Sequence, residues 1–167
     1  ESPPSQGMRE APPTSNIAAY DLYLKGRHHL QQESYQETKN AIKYFEQAIA
    51  TEPEFALPYS GLAFCYLLCG TFHYEDPRKS THRAKLYAKK ALELDETRAE
   101  SHLALSQVYY WTEWDLEAAE ESIHKAMHLS PGSADIHGLY SFLLLTEGNI
   151  DDAMLEAQLA YKLDPLS

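Results

Sequence analysis

His124 and His128 stand four residues apart, the spacing that lets two imidazoles on one helical face share a zinc ion. Lys125, Ala126 and Met127 fill the interval, so the glutamate of a zinc-protease motif is missing and no third ligand is evident. Surface histidines are expected here, with no metal and no other cofactor. Cys65 and Cys69 share the same spacing. On a helix they suit two reduced, small apolar side chains better than a disulfide framework, which points to a reducing, cytoplasmic compartment. Glu120 and Glu121 fall on the polar surface of a helix, and no phosphate loop, nucleophile elbow or cysteine–histidine nucleophile pattern occurs. The expectation is a chain with no catalytic residues, and so not an enzyme. One charged cluster stands out: Arg78, Lys79, Arg83, Lys85, Lys89 and Lys90 crowd one helix, behind Asp76 and Pro77 as N-cap and first-turn residue. They read either as a basic stripe that docks an acidic surface, on the chain's own effector domain or another subunit, or as a solvated helix face.

The whole chain has the opposite sign. Its 167 residues carry 14 basic and 25 acidic side chains, a formal net charge of −11, which disfavours binding to nucleic acid or to an anionic membrane. No apolar run is long enough to span a bilayer, so no membrane partner is expected. The length suits one compact domain.

The elements that would hold these side chains repeat. Aligned on an alanine, Ala41, Phe45, Ala48 and Ile49 match Ala84, Ala88, Ala91 and Leu92, then Ala119, Ile123, Ala126 and Met127, then Ala153, Ala157, Ala160 and Tyr161. Those offsets put four side chains on one stripe of an α-helix, and the small alanines let a neighbouring helix come close. Pro53, Glu96, Pro131 and Pro165 follow at one fixed distance, and the three prolines stop their helices. Before each such helix runs another amphipathic one, at about 20–30, 57–68, 102–110 and 136–145, and Gly70 and Gly148 read as the ends of the second and fourth of these. The stops are spaced 43, 35 and 34 residues apart, so the second unit holds about nine residues more than the fourth.

This pattern resembles the tetratricopeptide repeat, a helical hairpin of about 34 residues. Tyr59, Leu62, Ala63, Tyr66, Ala84 and Ala91 carry the resemblance in the second unit, and His102, Leu105, Ser106, Tyr109, Ala119, Ala126 and Pro131 in the third. His102 and His137 fall at one repeat position and read as partly buried packing residues. The resemblance implies an all-α fold, a right-handed superhelix of four helix-turn-helix units at about 17–54, 55–97, 98–132 and 133–167. Residues 1–16 precede them as a disordered linker rich in Pro, Ser and Thr. The segments AAYDLYLKGRHHL and EWDLEAAEESIHKAM are also similar to tetratricopeptide regions that follow effector domains in bacterial regulators, including winged-helix transcription factors, nucleotide cyclases and protein kinases.

The family's geometry implies that the first helices line a concave groove. Its lining would be Tyr20, Tyr23 and Arg27 from the first unit, and Leu57, Ser60, Phe64 and Leu67 from the second. Glu100, Leu103, Gln107 and Tyr110 would follow from the third, and Asp135 and Phe142 from the fourth. An apolar, aromatic lining suits an extended or helical peptide with hydrophobic anchors, although some of these residues could instead pack against a capping helix. Tyr23, Arg27, Gly61, Glu100 and Ala104 occupy the places where co-chaperone relatives clamp a terminal carboxylate, so that ligand is not expected. Trp111 and Trp114 read as packing at the turn of the third unit. The expected function is a non-catalytic interaction scaffold within a larger signalling or transcriptional regulator, binding a protein or peptide; the alternative is self-assembly into a homo-oligomer.

Overall fold

The computed structural model describes residues 14–32 and 34–165, so most of the expected linker lies outside the described residues. The described residues form eight α-helices and no strand, in the order α1 (Ile17–Leu30), α2 (Tyr35–Thr51), α3 (Ala56–Thr71), α4 (Pro77–Leu94), α5 (Ala99–Val108), α6 (Leu116–Leu129), α7 (Ala134–Thr146) and α8 (Ile150–Leu163). Consecutive helices pair as hairpins, and each hairpin leans on the next through α2 on α3, α4 on α5 and α6 on α7. The result is a solenoid, a stack in which each hairpin meets mainly its neighbours.

Local chemistry sets the helix ends. The side chains of Asn16, Ser34, Asp76 and Asp115 accept hydrogen bonds from the amides of Ala19, Glu37, Arg78 and Ala118, satisfying donors that the first turn leaves open. Asp76 and Pro77 open α4 as their order suggests. α2, α4, α6 and α8 end two residues before Pro53, Glu96, Pro131 and Pro165, so Glu96 marks its stop as reliably as the prolines.

One hydrogen bond recurs at the entry to each of the last three hairpins. The Tyr59 hydroxyl donates to the carbonyl of Pro53 at 3.0 Å, His102 Nε2 to that of Glu96 at 2.8 Å, and His137 Nε2 to that of Pro131 at 2.8 Å. The two histidines are therefore donors that fasten each first helix to the stop behind it. Their repeat position calls for a donor as well as for bulk.

One expectation fails locally. Gly70 does not end its helix: α3 runs on through Thr71, and His73 takes the left-handed conformation instead, at φ 55°. A β-carbon on Gly70 would meet Cβ of Ser80 at 3.4 Å, an ordinary contact, so neither a helix end nor a close approach demands glycine there. Gly148 does adopt the left-handed conformation, at φ 85°. In the third hairpin the extra residue is absorbed by one turn of π-helix, Tyr109–Glu113, closed by the Asp115 amide donating to the Tyr109 carbonyl at 3.1 Å.

Ala41, Ala48, Ala84, Ala91, Ala119 and Ala126 are all fully buried, as small residues between packed helices must be. Apolar packing gathers into two clusters. One runs from Ala19 through Phe45 and Leu62 to Val108, and the other takes Ala99, Tyr110, Ile123, Ile136 and Leu143. No helix among the described residues is long and apolar enough to cross a membrane.

Candidate functional site

The first helices α1, α3, α5 and α7 wall a cleft of about 730 Å³. Nine of the residues expected there line it: Arg27, Phe64, Glu100, Leu103, Gln107, Asp135 and Phe142, together with Leu57 and Ser60 at its buried base. Tyr23 also borders the cleft, yet its ring belongs to the core, edge-on to Phe55 at 5.5 Å and 6.0 Å from Phe45. Burial pushes its hydroxyl up to about 12, partly offset by the nearby Arg27 guanidinium.

Three expected residues lie elsewhere. Tyr20 stacks on Tyr23 at 6.1 Å outside the lining, and Leu67 is buried in the core because α3 is covered on both sides. Tyr110 is a strut: its hydroxyl bonds Thr146 Oγ1 at 2.8 Å and donates to the Phe142 carbonyl at 3.4 Å, tying the π-turn to α7. The π-turn brings Trp111 into the lining, half-exposed and edge-on to Phe142 at 5.9 Å, while Trp114 stacks on Tyr110 at 5.8 Å. α8 adds Ala157, Ala160, Tyr161 and Asp164, from a second helix that the groove pattern leaves out. The one-residue excess of the third unit is the sequence signal that could have pointed to Trp111.

Arg27, Glu100, Asp135 and Asp164 bring charge to a lining that also holds Phe64, Leu103, Trp111 and Phe142. Half of the basic stripe is engaged within the chain: Lys85 pairs with Glu113, Arg83 with Glu75 at 3.3 Å, and Lys90 with Glu93 at 3.4 Å. Arg78, Lys79 and Lys89 make no ion pair among the described residues. His124 lies against Tyr140 at 5.1 Å and 3.4 Å from Glu120, and no three metal-ligating side chains gather among the described residues. Burial raises both thiols, that of Cys69 to about 11, so neither is poised as a nucleophile.

His137 joins two elements beside the cleft. Its Nε2 holds the Pro131 carbonyl, and its Nδ1 meets the Glu156 carboxylate of α8 at 2.5 Å. Both nitrogens can donate only in the imidazolium. Burial alone would lower the pKa of the ring, but the bonds to Pro131 and Glu156 outweigh it and hold the pKa above its ordinary value. A pKa raised by folding contributes stability that is complete below the unfolded value, roughly 6.5, and is lost as pH climbs through the folded one. The melting temperature should therefore fall as pH rises above roughly 6.5, more steeply in the parent than in His137→Gln. Parallel pH profiles of the two proteins in thermal melts would contradict the assignment.

Comparison with solved structures decides the fold. A thermophilic TPR protein of Thermus thermophilus superimposes with a TM-score of 0.73, covering 90% of this chain and 76% of its own, at 21% identity. The fold is that of the tetratricopeptide repeat. MamA from Desulfovibrio magneticus RS-1 also matches, at a TM-score of 0.53 and 16% identity over 88% of this chain and 76% of that one. In sequence, this tetratricopeptide chain is 31% identical over 151 residues to the transcriptional regulator HilA of Salmonella typhimurium, and equally so to that of Salmonella typhi. The match covers 90% of this chain but 27% of either relative, so the chain spans about a quarter of their length. No family model matches the chain.

Proposed function

We propose that this chain is a non-catalytic interaction scaffold, the tetratricopeptide portion of a larger bacterial signalling or transcriptional regulator, whose concave cleft receives a peptide or a partner domain. The observation that carries this reading is the cleft itself: about 730 Å³, continuous over four hairpins, with half-exposed aromatic rings at Trp111 and Phe142. Concave, largely apolar surfaces with a few placed charges are where ligands bind, and aromatic anchors dominate such contacts. The likeness to a protein described as a transcriptional regulator supports the wider setting.

The ligand's chemistry follows from the lining. Apolar anchors would seat between Phe64, Leu103, Trp111 and Phe142, an acidic group would meet Arg27, and basic groups would meet Glu100 and Asp135. Immobilised chain should therefore retain a protein from a lysate of source cells that a double variant, Arg27→Glu with Phe142→Ala, loses by about tenfold or more. Both positions are exposed, so circular dichroism should show unchanged helicity. Equal capture by parent and variant would remove the cleft as the binding surface.

A further inference from the structure

The extra residues of the second unit build a row of aromatic rings that the cleft does not use. They lengthen the hairpin, whose helices hold 16 and 18 residues against 13 and 14 in the fourth, and its turn reaches back to the first hairpin. There the Tyr74 ring meets that of Tyr35, the first residue of α2, at 4.8 Å, and Phe72 stacks on Tyr74 at 5.6 Å. Lys39, one turn along α2, completes the row with its Nζ 5.0 Å from the centre of the Tyr35 ring. Phe72 and Tyr35 are 59% and 41% exposed, and none of the three rings lines the cleft. Contiguous exposed rings of this kind mark an interaction surface.

The turn is held in this shape. The Tyr74 and Glu75 amides both donate to the Cys69 carbonyl, at 2.9 and 3.3 Å, and the Glu75 carboxylate pairs with Arg83 of α4 at 3.3 Å. Between the two rings His73 takes the left-handed conformation, uncommon for a residue with a side chain. Backbone strain of this sort gathers where a surface is used, and here it keeps two rings together outside the core.

The spacing of the rings says what fits. The two steps of 4.8 and 5.6 Å separate the outer rings by no more than about one turn of a polyproline II helix, roughly 9 Å. Residues i and i+3 of such a ligand would then face Phe72 and Tyr35, on either side of Tyr74. A proline-rich segment is already extended, loses little entropy on docking, and packs its rings between surface aromatics. Lys39 sets the charge of the ligand. It makes no ion pair among the described residues, so an acidic residue beside the prolines would meet its ammonium. We propose that this row is a second recognition surface, which docks a proline-rich segment of a partner protein in the polyproline II conformation, with an acidic residue of that segment on Lys39.

The probe is a labelled synthetic peptide with prolines at i and i+3 through about four turns and a glutamate at each end. Fluorescence anisotropy should report its binding to the 167-residue chain with a Kd of roughly 100 µM. Phe72→Ala and Tyr35→Ala should each weaken binding by about fivefold or more, with parental helicity because both rings are exposed. Lys39→Glu should weaken it several-fold for this peptide and leave a version with glutamines unaffected. Phe142→Ala, in the cleft, should change nothing. No binding up to roughly 1 mM would overturn the proposal. So would equal binding of a peptide with alanine for every proline, or a loss in Phe142→Ala as large as in Phe72→Ala. Binding that emerged only after Pro3, Pro4, Pro12 and Pro13 were replaced would overturn it in favour of the chain's own proline-rich residues as the occupant.

Discussion

Phe45→Ala should lower the stability of the chain by about 3 to 5 kcal/mol, the range for truncating a well-enclosed aromatic ring. Phe45 has no exposed surface. Its ring is gripped from both sides: a β-carbon placed on Gly26 would fall 2.5 Å from Cε1, and one placed on Gly61 would fall 2.6 Å from Cε2. Tyr23 lies 6.0 Å away and Phe45 itself borders the cleft, so the truncation hollows out the junction of α1, α2 and α3 beneath the cleft. Urea unfolding should report the loss as a shifted midpoint with an unchanged slope. A loss below about 1 kcal/mol would mean that the junction collapses around alanine, against the rigidity that two flanking helices impose.

Gly26→Ala has the second-largest expected effect, and two terms compete in it. Alanine is the better helix former by about 1 kcal/mol, so the change would stabilise a solvated helix. Here the new methyl would overlap the Phe45 ring, and Gly61 blocks the ring's retreat on the other side. Overpacking of this kind costs about 1 to 3 kcal/mol beyond the helix gain, so destabilisation wins. The double variant Gly26→Ala with Phe45→Leu should be more stable than the sum of the single changes requires, since the shorter side chain makes room for the methyl. Strict additivity in thermal melts would show that the two residues do not share the space.

The repeat was legible because its signal is geometric. Alanines at fixed offsets must face a neighbour, and the stops at Pro53, Glu96, Pro131 and Pro165 locate the ends of all four second helices. What escaped are features set by tertiary context. Gly70 looks like a terminus in isolation, but α3 runs past it to Thr71 and the left-handed residue is His73. Leu67 and Tyr110 have the period of groove residues, yet α3 is sealed on two sides and the π-turn swings Tyr110 inward to Thr146. The same turn swings Trp111 outward into the cleft. The residues of α8 were missed because a groove pattern built on first helices has no place for a second helix.

The two apolar clusters meet at Tyr109, which packs against both and opens the π-turn. Neither cluster runs through the other, yet α5 gives Ala104, Leu105 and Val108 to one and Ala99 to the other, so a single helix bridges a divided interior. The cleft takes Phe45 and Leu57 from one part and Ile136 and Leu139 from the other, so its shape is set by how both pack across α5.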